Sequence, residues 1–183
     1  MGYGEALGLA WSRLETIKKQ DIYAVKFLSD EYTVDICNHT VQSLSCNTPA
    51  HTHVAISVLH YLIVFLKGFP ELSGSWISFP ELDGGKGYFP AFKKRALDPI
   101  VRKYGKNPEG LLDLIERFSA KKVQIGDIGI ALEGFPGIPV LITFWKADDE
   151  FSAQANMLFD SSIKEIFPTE DVVVMAGFIA SVI

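Results

Sequence analysis

From Val54 to Leu66 the chain is apolar almost all the way round a helical wheel, interrupted only by Ser57 and His60. A helix of this kind has no face to offer water, so other elements must cover it on several sides. Thr48-Pro49 predicts its start, with the hydroxyl as cap and proline at the first helical position. Gly68 predicts its end, giving a deeply buried central helix over about 49–67. At 13 residues the apolar run falls short of the ~20 needed to cross a bilayer. No membrane partner is therefore expected.

Both kinds of cover can be read along the chain. Leu7, Ala10, Trp11, Leu14 and Ile17 have helical spacing and predict a helix over 3–19. Residues 20–31 carry no assignment. Tyr32, Val34 and Ile36 alternate with polar neighbours as in a strand, and Asn38-His39 can turn it into a partner over Thr40 to Leu44. Ser75 to Phe79 reads as a strand, followed by a flexible Asp83-Gly84-Gly85 loop. Asp98-Pro99 and Asn107-Pro108 repeat the cap-then-proline signature and predict helices near 99–104 and 108–119. From Gly126 the period becomes two: Ile128, Ile130 and Leu132, then Val140, Ile142 and Phe144 across the turn Gly134-Phe135-Pro136-Gly137. Phe151, Ala153, Ala155, Met157 and Phe159 extend the pattern as a third strand, and a last helix starts after Pro168-Thr169. The prediction is one α+β domain over 1–183, mainly antiparallel sheet packed against helices.

Charge is ordinary in amount and uneven in place. The chain has 22 acidic and 17 basic residues, and residues 145–171 hold seven acids against two lysines, which accounts for the whole net charge of −5. A pI near 5.3 gives no general attraction for phosphate backbones, so nucleic acid is not an expected partner. The basic group Lys93, Lys94, Arg95, Arg102, Lys103 and Lys106 lacks interleaved aromatics and reads as a solvated helix face or an anion site. The N-terminal residues show no basic region followed by an apolar stretch, which points to a cytoplasmic protein with its two cysteines reduced.

Several chemistries are argued against by spacing. Cys37, His39, Cys46, His51, His53 and His60 fall within 24 residues. A tight hairpin over 32–45 nevertheless sets the cysteines ~20–27 Å apart, and His51 and His53 point ~200° apart on a helix. No G-x-S-x-G elbow and no G-x-x-x-x-G-K-[ST] phosphate loop occurs. Gly84-Gly85-Lys86-Gly87 is a turn or a place where a ligand approaches the backbone. The remaining candidates are carboxylates beside aromatic rings. Trp76, Phe79, Tyr88 and Trp145 can wall an apolar pocket, with Glu81, Asp148, Asp149, Glu150 and Asp160 as polar contacts. The 148–150 acids read equally as a solvated hairpin tip, and Asp160 joins them only if the chain bends near 151–155.

At these residues the chain resembles a prokaryotic family catalogued as domain of unknown function 3786. The resembling segments are Leu59 to Leu62, Gly74 to Phe79, Glu81-Leu82, Gly84-Gly85, Tyr88, Phe92, Gly126-Asp127, Phe135-Pro136, Trp145, Asp148 to Phe151, Leu158 to Asp160 and Glu170-Asp171. The family carries no assigned activity. Its members are found largely in anaerobes, and some resemble fusions with an iron–sulfur module. Two cysteines are too few for a Cys₄ cluster, so the resemblance implies a separate iron–sulfur protein as partner. A corrinoid or another cofactor handled in anaerobes is the ligand type this company suggests, with no cofactor assigned.

The resulting expectation is a small-molecule or cofactor-binding accessory protein of anaerobic metabolism. Two alternatives stand beside it. One is an enzyme using a carboxylate base or an oxygen-ligated metal. The other is an interaction domain whose acidic hairpin docks on a basic partner.

Overall fold

The computed structural model describes residues 2–183 and has two antiparallel sheets joined by helices, an α+β fold. Helix α1 (Tyr3–Ile17) packs along α2 (Thr52–Lys67), and the chain between the two forms a four-stranded meander: β1 (Ile22–Phe27), β2 (Asp30–Asp35), β3 (Thr40–Ser43) and β4 (Thr48–Pro49). In β1 the side chains of Tyr23, Val25 and Phe27 point inward while those between them face water. That alternation was present in the unassigned stretch 20–31.

The start of α2 corrects the expectation of a cap at Thr48. Thr48 and Pro49 pair with Ser43 and Gln42, and the Ala50 N–H bonds the Val41 carbonyl. Proline is tolerated in this short edge strand because an edge need not use every N–H. The helix begins three residues later, runs to Lys67, and stops at Gly68, whose φ of +98° suits glycine. Nine of its 16 residues are buried.

The second sheet has the order β5-β9-β8-β7-β6. Its members are β5 (Trp76–Ser78), β6 (Lys121–Val123), β7 (Ile128–Glu133), β8 (Pro139–Trp145) and β9 (Gln154–Asp160). The predicted pair across Gly134–Gly137 forms in register, Ile128 opposite Phe144 and Glu133 opposite Pro139. The third strand starts at Gln154 rather than Phe151. Asp148 accepts the N–H groups of Glu150 and Phe151 and ties the chain into a turn there.

Between β5 and β6 the chain is helical. Where a flexible loop is predicted, Gly84 takes φ +71° and α3 (Gly85–Phe92) begins. A Cβ on Gly85 would lie 2.1 Å from the Phe79 carbonyl oxygen, so the helix sits against the 79–81 turn at a distance only glycine allows. A π-type turn, Lys93–Leu97, leads into α4 (Asp98–Tyr104). The segment predicted as one helix over 108–119 is a 3₁₀ stretch, Pro108–Asp113, followed by the single turn α5 (Leu114–Arg117). The chain ends with α6 (Ile163–Ile166) and α7 (Thr169–Val182).

The two sheets are held together by aromatic rings. Phe135, fully buried in the β7–β8 turn, stacks on Phe27 at 4.2 Å and on Tyr61 at 4.7 Å, and lies 5.6 Å from Phe167. One main-chain bond crosses the same seam, from the Leu28 N–H to the Gly134 carbonyl at 2.9 Å.

Candidate functional site

The structure disperses the residues expected to share a pocket. Trp76 lies opposite Asp160 on one side of β9, and Trp145 lies opposite Gln154 on the other side. Those positions are six residues apart along the strand, about 20 Å at strand rise. The bend at 148–153 that could have joined Glu150 to Asp160 exists, yet β9 then runs straight and carries Asp160 to its far end. The expectation of one hollow shared by both tryptophans is thereby corrected.

Each of these residues has a local account. Phe79 is fully buried and stacks on Phe92 at 4.0 Å, so it walls no cavity. Glu81 accepts both the N–H and the hydroxyl of Ser78, which hold its carboxyl below the usual range. Tyr88 is exposed and takes a hydrogen bond from Arg95 at 3.4 Å. Asp148 is likewise lowered, by the Phe151 and Glu150 N–H groups. Asp149 and Glu150 face water, beside Trp145 at 41% and Phe151 at 62% exposure.

Asp160 turns out to be a backbone anchor. Its carboxylate, 5% exposed, accepts the N–H groups of Ser73, Gly74 and Ser162 and the Ser73 hydroxyl, at 2.8–3.0 Å. Burial pushes its carboxyl up, but the polar groups of Ser162 and Ser73 outweigh that and hold it far below the carboxylate range. The Ser162 hydroxyl itself is buried without a hydrogen-bond partner.

A second buried carboxylate escaped the sequence reading. Asp171, in the first turn of α7, accepts the Ser57 hydroxyl at 2.9 Å and His60 Nδ1 at 2.5 Å. Ser57 and His60 are the two polar interruptions of the apolar helix, and that break in its pattern is the signal of a buried polar partner. The bond orients the imidazole through Nδ1. Among the described residues no group of three or more His, Cys, Asp or Glu side chains is placed to hold a metal ion.

Concavities lie elsewhere among the described residues, two of them well formed. The smaller, about 280 Å³, opens between α1, β3 and the start of α2. Its wall includes Trp11 with His39 stacked on it at 4.9 Å, and His39 Nε2 already bonds Glu15 at 2.7 Å. The larger, about 390 Å³, lies at the seam of the two sheets. Lys26 and Leu28 come from β1 and the turn after it, Lys121 from β6, Ala131 to Glu133 from β7, Pro136 from the turn that follows and Pro139 from the start of β8. Beneath it Tyr61 donates its hydroxyl to the Pro136 carbonyl at 3.1 Å, and burial pushes that phenol up to about 12. The stacked rings Phe27 and Phe135 are chain neighbours of the cleft's lining residues Lys26, Leu28, Gly134 and Pro136.

A family model described as Domain of unknown function (DUF3786) matches residues 9–181. The chain belongs to this family. No curated protein and no solved structure matches it. The segments that carried the family resemblance meet as joints of the fold: His60 with Asp171, and Gly74 and Trp76 with Asp160. Pro136 of the same string borders the larger cleft. No helix among the described residues is long and apolar enough to cross a membrane.

Proposed function

We propose that this protein binds a small molecule in the cleft at the seam of its two sheets. The observation that carries the reading is the cleft itself: about 390 Å³, within the usual range for small-molecule sites, with walls anchored on buried rings. It combines apolar surface from Phe118, Ala131 and two prolines with three charged side chains, Lys26, Lys121 and Glu133. Apolar walls supply contact area and a few polar groups fix orientation. The accessory role in anaerobic metabolism and the separate iron–sulfur partner rest on the family resemblance, and this reading stands without them.

The test is a thermal-shift screen of a fragment library, repeated on Ala131→Phe, which fills the cleft from a strand position. Hits that stabilise the wild type and lose their effect in Ala131→Phe support the site. Hits that shift both proteins equally bind elsewhere and refute it.

A second reading is favoured by one observation. Trp145 and Phe151 are exposed beside Asp149 and Glu150, which pair with no cation among the described residues, an apolar centre with an acidic rim that suits a basic protein surface. Association with a lysine-rich, tryptophan-containing peptide should be salt-dependent and abolished by Asp149→Lys with Glu150→Lys. Binding unaffected by that charge reversal would exclude the tip as the docking site.

A further inference from the structure

Resting on the cleft reading above, we infer that the ligand of the seam cleft is a small oxyanion, held through carboxylate or phosphate oxygens by Lys26 and Lys121. The sequence places these lysines 95 positions apart, and neither belongs to the basic group at 93–106. Folding brings them to one concavity from the edge strands of two different sheets. The lysine ion pairs among the described residues lie elsewhere, Lys18 with Asp21 and Lys146 with Glu109. Among the described residues neither Lys26 nor Lys121 has a carboxylate within 4 Å, although Glu31 is the cross-strand neighbour of Lys26.

The third charge on the wall is Glu133, which leaves the lining with a net charge of +1. Two ammonium groups beside apolar walls attract an anion more strongly than they would in open water, because the walls exclude part of the screening solvent. Glu133 works against that attraction. Its removal is therefore the sharpest probe of the sign of the ligand.

The experiment uses titration calorimetry on the full chain at low salt with three probes: succinate, inorganic phosphate, and succinamide as the uncharged counterpart of succinate. Succinate or phosphate should bind and succinamide should not. The two anion arms distinguish a carboxylate ligand from a phosphate ligand. Lys26→Met and Lys121→Met should each weaken anion binding about tenfold, the loss of one charge-assisted hydrogen bond. Glu133→Gln should strengthen it, a gain that no folding defect can imitate. Succinamide binding as well as succinate, or Glu133→Gln weakening the anion, would overturn the inference. Failure of all three probes while library hits remain sensitive to Ala131→Phe would overturn the anion assignment and leave the cleft reading intact. Anion binding that survives Ala131→Phe would remove both.

Discussion

Replacing Asp160 by Asn tests the claim that this residue serves the backbone. Three donors converge on Oδ1 (the Ser73 N–H and hydroxyl, and the Ser162 N–H), and the Gly74 N–H alone meets Oδ2. Asparagine does best by keeping its oxygen at the crowded position. Its NH₂ group then faces the Gly74 N–H, donor against donor. One charge-assisted bond is lost, worth about 1.5–3 kcal/mol, and a buried donor is left unmade at about 1–3 kcal/mol. The expected loss is about 4 kcal/mol at pH 7, or a fall in Tm of about 10 °C for a chain of this length.

The pH dependence gives a second check on the same residue. The folded state holds this carboxyl below its unfolded value, so the folded state binds fewer protons in acid. Its stabilisation is complete above the unfolded value of about 3.9 and is lost as pH falls toward the folded one. Between pH 4 and pH 3 the gap between wild type and Asp160→Asn should narrow by about 1 kcal/mol. Urea unfolding of both proteins across that range measures it. A gap under about 1 kcal/mol at pH 7, or one that does not change with acid, would refute the anchor role.

Three further outcomes follow from the packing. Gly85→Ala should destabilise by about 3 kcal/mol, since its Cβ would overlap the Phe79 carbonyl and push α3 off the 79–81 turn; thermal melting checks this. Thr143→Val should raise stability by about 1 kcal/mol, because the Thr143 hydroxyl is buried without a partner, and an unchanged urea midpoint would contradict that account. Asp171→Ala should cost about 2 kcal/mol by leaving His60 Nδ1 unpaired and Ser57 with only the His53 carbonyl, and the loss should shrink when Ser57→Ala is already present.

What could be read in advance was the part governed by local patterns. The alternation on both sides of Gly134–Gly137 specified a hairpin because one face of each strand had to be buried. The apolar run 54–66 specified its helix for the same reason. Thr48-Pro49 misled because a cap followed by proline is also compatible with an edge strand, and only the ladder from Val41 to Ala50 decides between them. Helix α3 was hidden by Gly85, whose role is a close contact with Phe79 that no neighbour in sequence announces. Asp160 and Asp171 were visible as acids, but their duties depend on donors that lie 86 and 111 residues away for Gly74 and His60. The cleft was unreadable for the same reason. Its lining is gathered from positions 26 to 139 and exists only where two sheets abut.

The pairing of β5 with β9 has a consequence for biogenesis. On a ribosome, the strip holding Trp76 and Ile77 emerges long before Asp160 and Phe159, its hydrogen-bonding mates. Until they arrive, that edge is an orphan with aromatic neighbours, open to adhesion by other nascent polypeptides. Loop closure over such a span is slow. Premature termination anywhere upstream of residue 154 therefore yields a sticky fragment rather than a smaller working version of the molecule.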